Sequence, residues 1–220
     1  MKIRNLLFTL FLLVWIQPAL AQKKGIRTGT RLGVGTSQFM SNNFQSNPSQ
    51  NLQFEAGGNL IYGITEYIGI RADLKLMYTS VEGDGPSQKA GIPQQNYVSR
   101  EAYRYLGLGL PLQLRIAAPL GKISIYGDAG IMPQANLLAT EKRTYDNSSL
   151  QNNYGYEERK FSDKNAMNFS FVYDLGLELD ADSRSYFLEF SFYRFLSPLG
   201  QVSKKDVNVS GFTIGGGLLF

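Results

Sequence analysis

Two residue types with versatile side-chain chemistry are missing from this 220-residue sequence, which contains no cysteine and no histidine. Without cysteine there is no disulfide framework, so an exported domain must draw its stability from other interactions. Without histidine, Ser-His-Asp and Cys-His catalysis and most zinc sites are excluded. We therefore predict that the protein is not an enzyme, with no catalytic residues, no metal site and no cofactor.

The sequence also lacks a strong excess of charge of one sign. It has 22 Lys and Arg residues against 18 Asp and Glu, and removing an N-terminal segment that contains Lys2 and Arg4 leaves 20 against 18. This near balance gives no support for nucleic acid as a partner.

Long apolar runs are missing after residue 21. The run before it, from Leu6 to Ile16, is shorter than the ~20 residues that a membrane-spanning helix needs. Two basic residues precede this run, and Ala19-Leu20-Ala21 follows it as an A-x-A cleavage site, which is the pattern of a secretory signal peptide. We predict a cleaved signal peptide at residues 1–21 and a single exported domain at residues 22–220.

What the sequence does contain is repeated alternation of apolar and polar residues, as in the five leucines at every second position from Leu106 to Leu114. Such alternation places the two sets on opposite faces of a strand. Eight segments can each hold the ~9–11 residues that a tilted membrane strand needs. Pro111 cannot donate to a ladder and predicts an irregularity in the fourth. The segments are Ile26–Phe39, Leu52–Ile64, Tyr67–Thr79, Tyr103–Ile116, Lys122–Leu137, Met167–Leu179, Ser185–Leu196 and Val207–Phe220.

The connections between these segments alternate in length. The long ones are residues 40–51, 80–102, 138–166 and 197–206, and the short ones are 65–66, 117–121 and 180–184. Outer-membrane barrels have long extracellular loops and short periplasmic turns. We therefore predict an all-β fold, an eight-stranded antiparallel up-and-down transmembrane β-barrel, located in the cell outer membrane and embedded in its lipid.

Alternation alone does not say which face lies inside, since a soluble periplasmic lipocalin-like binding barrel also alternates. The apolar face is nearly unbroken here, and the other face combines glycine, small polar residues and charges of both signs, which favours a membrane barrel with its apolar face outward. An eight-stranded barrel is narrow enough for side chains to fill it, and opposed charges inside can pair. The predicted interior charges are Arg31, Glu55, Arg71, Asp73, Lys75, Arg115, Asp128, Asp174, Glu178 and Glu189.

Aromatic residues lie near the predicted strand ends, as in the two girdles of a membrane barrel. The predicted periplasmic girdle contains Tyr62, Tyr67, Tyr186 and Phe220, and the predicted outer girdle contains Phe54, Tyr78, Tyr103, Phe169 and Phe192. These positions support the same orientation of the barrel, with both termini on the periplasmic side.

The last eight residues resemble the C-terminal signal that the outer-membrane assembly machinery reads. Thr213, Gly215, Leu218 and Phe220 match its pattern of a polar residue, a glycine, a hydrophobic residue and a terminal aromatic residue. The resemblance implies that the barrel assembly machinery is a partner during biogenesis.

Two segments resemble the PorT-like outer-membrane β-barrel family common in Bacteroidetes. They are residues 105–115, Tyr-Leu-Gly-Leu-Gly-Leu-Pro-Leu-Gln-Leu-Arg, and residues 126–130, Tyr-Gly-Asp-Ala-Gly. Gly109 and Arg115 depart from the family pattern, in which Ile and Lys are usual. Some members of that family serve protein secretion, so the resemblance implies, as an alternative role, an accessory barrel of a type IX-like secretion complex.

The long connections hold the remaining functional signal. The 138–166 connection is rich in charged residues and tyrosines, and we expect the adjoining strands to continue past the membrane as a protruding hairpin. The edge of such a hairpin can bind a partner by strand addition. We predict a structural or interaction role, with a protein partner at loops 80–102 and 138–166.

Overall fold

The computed structural model describes residues 25–41, 44–45, 51–84, 98–145, 157–160, 167–181, 183–197, 200–202 and 205–220. Among these residues, eight long strands form an antiparallel barrel. They are β1 (Ile26–Ser41), β2 (Leu52–Gly63), β3 (Ile68–Asp84), β4 (Val98–Gly109 and Leu112–Leu120), β5 (Ile123–Tyr145), β6 (Met167–Ala181), β7 (Arg184–Phe195) and β8 (Lys205–Leu219). Three short strands, Phe44–Gln45, Glu157–Lys160 and Gly200–Val202, lie at one end. No helix in the described part of the chain has the length and hydropathy that crossing a membrane requires.

The sheet closes on itself, because β1 pairs with β2 on one side and with β8 on the other. The seam between β1 and β8 runs in register from Gly29 opposite Leu219 to Met40 opposite Asn208. Beyond it, the Phe220 amide donates to the carbonyl of Thr28 at 2.7 Å. Closure gives the edge strands hydrogen-bond partners, which hydrocarbon cannot supply.

Two irregularities interrupt the ladders. Leu110 and Pro111 divide β4, and the Pro111 carbonyl accepts from the Asp73 amide at 3.0 Å, so the predicted irregularity at Pro111 is confirmed. In β5, Leu106 faces Leu138 while Gly107 faces Asn136. Leu137 is therefore an extra residue on β5, a β-bulge that changes which residues of this strand point outward.

The outer wall is apolar and the interior carries the charges. In β6 every residue from Met167 to Leu179 alternates between exposed and buried, with Leu175 60% exposed. On β1, Leu32 is 70% exposed while its neighbour Arg31 is 2% exposed. This is the predicted arrangement of a transmembrane barrel, and the described residues do not show the reversed faces that a lipocalin-like barrel would require.

Several predicted boundaries and one predicted position are wrong. Strand β4 begins at Val98 and runs to Leu120, so the turn that follows is only residues 121–122. Strands β3 and β5 also run further than their alternation indicated. Tyr103 does not join the outer girdle, because it is 2% exposed and faces the interior like Tyr105, two residues further along the strand. Its assignment followed residue type and overlooked the alternation of its own strand.

We predict that arginine in the middle of the wall destabilises the barrel. Leu175→Arg should lower the free energy of unfolding by about 2–4 kcal/mol, because it places a cation at mid-membrane depth. Thr36→Arg, an exposed position near the end of the wall, should cost about 0–1 kcal/mol. Urea unfolding from lipid vesicles, followed by heat-modifiable gel migration, measures both values. Equal costs for the two variants would contradict a lipid-facing wall.

Candidate functional site

The interior of the barrel is filled in layers. The middle layer contains charged residues, and all ten predicted interior charges are buried, none more than 7% exposed. A small apolar cluster, formed by Ile61, Tyr126, Phe187 and Leu219, lies toward the short turns. A larger cluster lies toward the other end and contains Met77, Val81, Tyr103, Tyr105, Met132, Ala139, Val172, Tyr193, Phe195 and Val209.

Arg71 on β3 is at the centre of the charged layer. Its Nε donates to Asp73 Oδ1 at 2.8 Å, and its Nη1 donates to Asp128 Oδ2 at 2.7 Å and to Glu189. The same Nη1 lies 3.7 Å from Asp174 Oδ2. One guanidinium group thus contacts carboxylates from β3, β5, β6 and β7.

Arg31 on β1 connects the same carboxylates to the remaining side of the layer. Its Nη1 lies 2.7 Å from Glu189 Oε1 and 3.2 Å from Asp73 Oδ2, and its Nη2 donates to Glu55. Lys75 Nζ lies 3.9 Å from Asp73 Oδ2. Glu189 and Asp73 are therefore shared between cations on different strands, which makes the layer a network.

Arg115 on β4 extends the network toward the short turns. Its Nε and Nη2 each donate to one oxygen of Asp128 at 2.8 Å, a bidentate pair. The guanidinium carbon lies 3.8 Å from the ring centre of Tyr126, and Nη1 donates to Glu178 Oε2 at 3.5 Å. Glu178 also contacts Arg27, whose side chain is 36% exposed. The network thus reaches the solvent at this end.

Neutral side chains complete the hydrogen bonding of the carboxylates. The sequence analysis predicted no interior role for them, although it named Thr213 in the assembly signal. Tyr126 Oη donates to Glu189 at 3.0 Å, and Thr213 Oγ1 donates to Glu55 at 3.0 Å. Gln113 Nε2 donates to Asp174 at 2.7 Å. Their positions on the inward faces of β4, β5 and β8 were the available signal. Such bonds matter because buried ions are stabilised only when ion pairing is accompanied by further hydrogen bonds.

Asp128, Asp174 and Glu189 lie close enough together to be considered as ligands of a metal ion. Each offers one carboxylate oxygen, and the three oxygens lie within 4.8 Å of one another. Arg71 Nη1 contacts all three residues. The guanidinium group therefore supplies the positive charge that these carboxylates need, and it lies where a metal ion would have to bind.

The larger apolar cluster was not predicted, because the interior was expected to be polar throughout. The rings of Tyr105 and Phe195 pack edge to face at 6.1 Å, and those of Tyr193 and Phe195 lie 5.9 Å apart. Tyr193 Oη donates to Gln53 at 3.0 Å. A Cβ at Gly211 would collide with the ring of Tyr193, so a glycine is required there for the tyrosine to lie across the barrel.

The residues of the predicted assembly signal lie on both faces of β8 and, for Phe220, directly after it. Thr213 and Gly215 are buried, and a Cβ at Gly215 would approach the backbone of Leu32 on β1 at 2.8 Å. Leu218 and Phe220 are half-buried and alternate with the buried Leu219.

A cavity of about 780 Å³ opens at the end with the short turns. We call this cavity the vestibule, and charged residues of both signs line it. The basic ones are Arg27, Arg115 and Arg184, and the acidic ones are Glu66, Glu178 and Asp180. The charged layer and the larger apolar cluster lie between this vestibule and the opposite end.

Comparison with protein families identifies the type of domain. Residues 7–220 match the family model described as outer membrane protein beta-barrel domain. The attachment invasion locus protein Ail of Yersinia pestis is 14% identical, with 90% of this chain and 99% of that chain covered and a TM-score of 0.45. Neisserial surface protein A is 9% identical over 86% and 95% of the two chains, with a TM-score of 0.44. The outer membrane enzyme PagL is 12% identical over 86% and 97%, with a TM-score of 0.44. None of the curated proteins compared with the sequence matches it.

We predict that Arg71 is required for stability. Arg71→Met should lower the free energy of unfolding by about 3–5 kcal/mol, because it removes an ion-pair contact from four buried carboxylates at once. Adding Asp174→Asn should restore part of this loss, since Arg71 is the one described cation that contacts Asp174.

The control variant is Arg27→Met. It should cost about 0–1 kcal/mol, because the ion pair of Arg27 is partly exposed. The measurement is urea unfolding from lipid vesicles. A cost for Arg71→Met no larger than that for Arg27→Met would refute the central role of Arg71.

Proposed function

We propose, from the premise that this chain belongs to the outer membrane protein β-barrel domain family, that it is a non-conducting barrel with an interaction role. In this proposal, a protein partner binds strands that continue beyond the membrane wall on the cell-surface side. The observation that carries the proposal is a one-sided extension of the sheet at the end opposite the short turns.

The extension is formed by β3, β4 and β5. Strand β5 has 23 residues and β7 has 12, whereas a tilted strand crosses the membrane with ~9–11. Asp84 on β3 pairs with Arg100 on β4, well beyond the leucines of the wall. The excess length of β5 therefore belongs to a sheet outside the hydrocarbon layer.

The short strand Glu157–Lys160 widens this sheet by pairing with β5. Its register places Glu157 opposite Arg143, Glu158 opposite Lys142 and Arg159 opposite Glu141. The pairing is antiparallel, as a hairpin requires. It supports the protruding hairpin expected between strands five and six. Parts of the proposed binding loops, residues 85–97, 146–156 and 161–166, lie outside the described residues.

The filled interior supports a role other than solute passage. The charged layer spans the barrel from Arg31 on β1 to Arg115 on β4. The larger apolar cluster lies beyond it, toward the end opposite the short turns. Eight-stranded barrels are narrow enough for side chains to fill them in this way. We infer in addition that the protein is not an enzyme, and the support is the lack of histidine and cysteine in the sequence.

The alternative role as an accessory of a type IX-like secretion complex has one observation in its favour. The vestibule opens at the end with the short turns, which face the periplasm in outer-membrane barrels, and its lining is charged. A periplasmic partner could dock there. This alternative also includes the proposal that the chain is a PorT-like barrel. That proposal is based on the resemblance of residues 105–115 and 126–130 to the PorT-like family.

We also propose that residues 1–21, which lie outside the described residues, direct export and are then removed. The C-terminal residues Thr213, Gly215, Leu218 and Phe220 would direct assembly in the outer membrane. Mass spectrometry of the protein purified from outer membranes should give a chain that begins at Gln22. A chain that retains residues 1–21 would contradict cleavage.

Site-specific photocrosslinking on intact cells distinguishes the two roles. A photoreactive residue at position 158, in the extension, should give a protein adduct. The same residue at position 175 should give none, because Leu175 is on the lipid-facing wall. Position 183 lines the vestibule and should also give none. Adducts at position 183 in the absence of adducts at position 158 would favour the secretion role and overturn the proposal.

A planar bilayer measurement tests the filled interior. The purified wild-type protein should show no stepwise conductance, because the larger apolar cluster and the charged layer leave no aqueous path of porin width. Heat-modifiable migration of the same sample on gels verifies that the barrel is folded. Regular conductance steps from folded protein would contradict a non-conducting role.

A further inference from the structure

The outward-facing wall of the described strands carries few charges, and two arginines lie on it at the end opposite the short turns. Arg104 on β4 and Arg194 on β7 are both exposed. Each alternates with buried aromatic residues, Tyr103 and Tyr105 in one strand and Tyr193 and Phe195 in the other. Both guanidinium groups are therefore carried on the outside of the barrel.

Both arginines lie at the same end of the wall, opposite the short turns. Arg104 follows the leucines of β4 by one outward position and is paired with Ser80 and Thr140 on the neighbouring strands. Arg194 follows Phe192 by one outward position and is paired with Ser210 on β8. Around Arg104 the wall changes from apolar to polar, whereas Arg194 has Phe171 opposite it on β6 and the exposed Leu196 one outward position beyond it. Arg104 therefore lies at the boundary of the apolar wall. Arg194 lies just inside it, where a long basic side chain can extend toward the headgroup layer while its aliphatic part stays on apolar surface.

Neither arginine has a carboxylate partner among the described residues, unlike Arg31, Arg71 and Arg115 inside the barrel. Two charged residues, Glu82 and Lys142, face Ala102 next to Arg104. Both of them have interactions within the protein. Arg104 and Arg194 are thus cations that the described protein leaves for an external anion.

We propose that Arg104 and Arg194 each bind a phosphate group on the headgroup of an outer-leaflet lipid such as lipid A. The guanidinium group matches phosphate oxygens with two parallel hydrogen bonds. The apolar side chains just below, Leu106 on β4 and Phe192 on β7, offer surface for the acyl chains of the same lipid. The inference needs the outer-membrane location and is independent of the protein partner proposed above.

The test is binding of purified full-length mature protein in detergent to lipid A, measured by native mass spectrometry. Wild-type protein should retain bisphosphorylated lipid A in preference to the enzymatically dephosphorylated form. The double variant Arg104→Gln/Arg194→Gln should bind the phosphorylated form about 10-fold or more weakly, since each arginine contributes charge-assisted hydrogen bonds. The single variants should each lose one of the retained lipids.

Two matched variants separate the proposal from simpler explanations. Arg184→Gln removes an exposed arginine of β7 at the opposite end, beside the ring of Phe220, and should leave lipid A binding unchanged. Arg104→Lys keeps the charge but loses the two parallel bonds, so it should bind with intermediate strength. Heat-modifiable migration verifies that every variant is folded.

Three results would overturn the inference. They are equal retention of the two forms of lipid A, unchanged binding by the double variant, and an equal loss of binding in Arg184→Gln. Inorganic phosphate at millimolar concentration is the remaining comparison. If it displaced the lipid completely, the arginines would form a site for free phosphate, and the assignment to a lipid would be wrong. The crosslinking result at position 158 has no influence on these outcomes.

Discussion

Pairing of buried charges is the interaction on which this barrel depends. An apolar outer wall forces every second side chain of each strand inward, and closure around eight strands leaves little room there. Arg71 and Arg31 occupy the middle of that space, where they contact carboxylates from β2, β3, β5, β6 and β7. Because each carboxylate is taken out of water, losing Arg71 would remove an ion-pair contact from four buried carboxylates at once, and Asp174 would contact no other described cation. The outer wall and the charged layer are thus two consequences of one closed sheet.

The same network explains why function must be sought at the surfaces of the barrel. Above the charged layer, Tyr105, Tyr193 and Phe195 fill the interior with rings. Below it, Glu178 and Arg27 bring the last ion pair to the rim of the vestibule. A barrel packed in this way offers a partner its extended sheet, its vestibule or its outer wall. The three surfaces differ in chemistry, since one offers strand edges, one offers charges of both signs, and one offers apolar side chains bordered by arginines.

Much of this fold could be predicted from the sequence, because alternation with a period of two is a direct consequence of strand geometry. The strands and the residues that face inward follow from it. It does not determine which inward residues meet, because contacts such as that between Arg71 and Glu189, 118 positions apart, depend on how the strands are staggered in the closed barrel. Alternation also does not predict the bulge at Leu137 or the pairing of Glu157–Lys160 with β5. Tyr103 shows the converse error, in which residue type was given more weight than alternation.

Arginine illustrates how one side chain takes different roles according to its depth and its face. The ten charged residues inside comprise four cations and six carboxylates, so the interior carries an excess of negative charge that Arg27 reduces at the vestibule. On the outer wall the imbalance is reversed, since Arg104 and Arg194 have no carboxylate partner among the described residues. An anion at the end opposite the short turns would therefore be favoured at the wall and disfavoured in the interior. This separation of charge between the two faces of the sheet is the reason why the proposed lipid headgroups are placed on the outer wall and not in the interior.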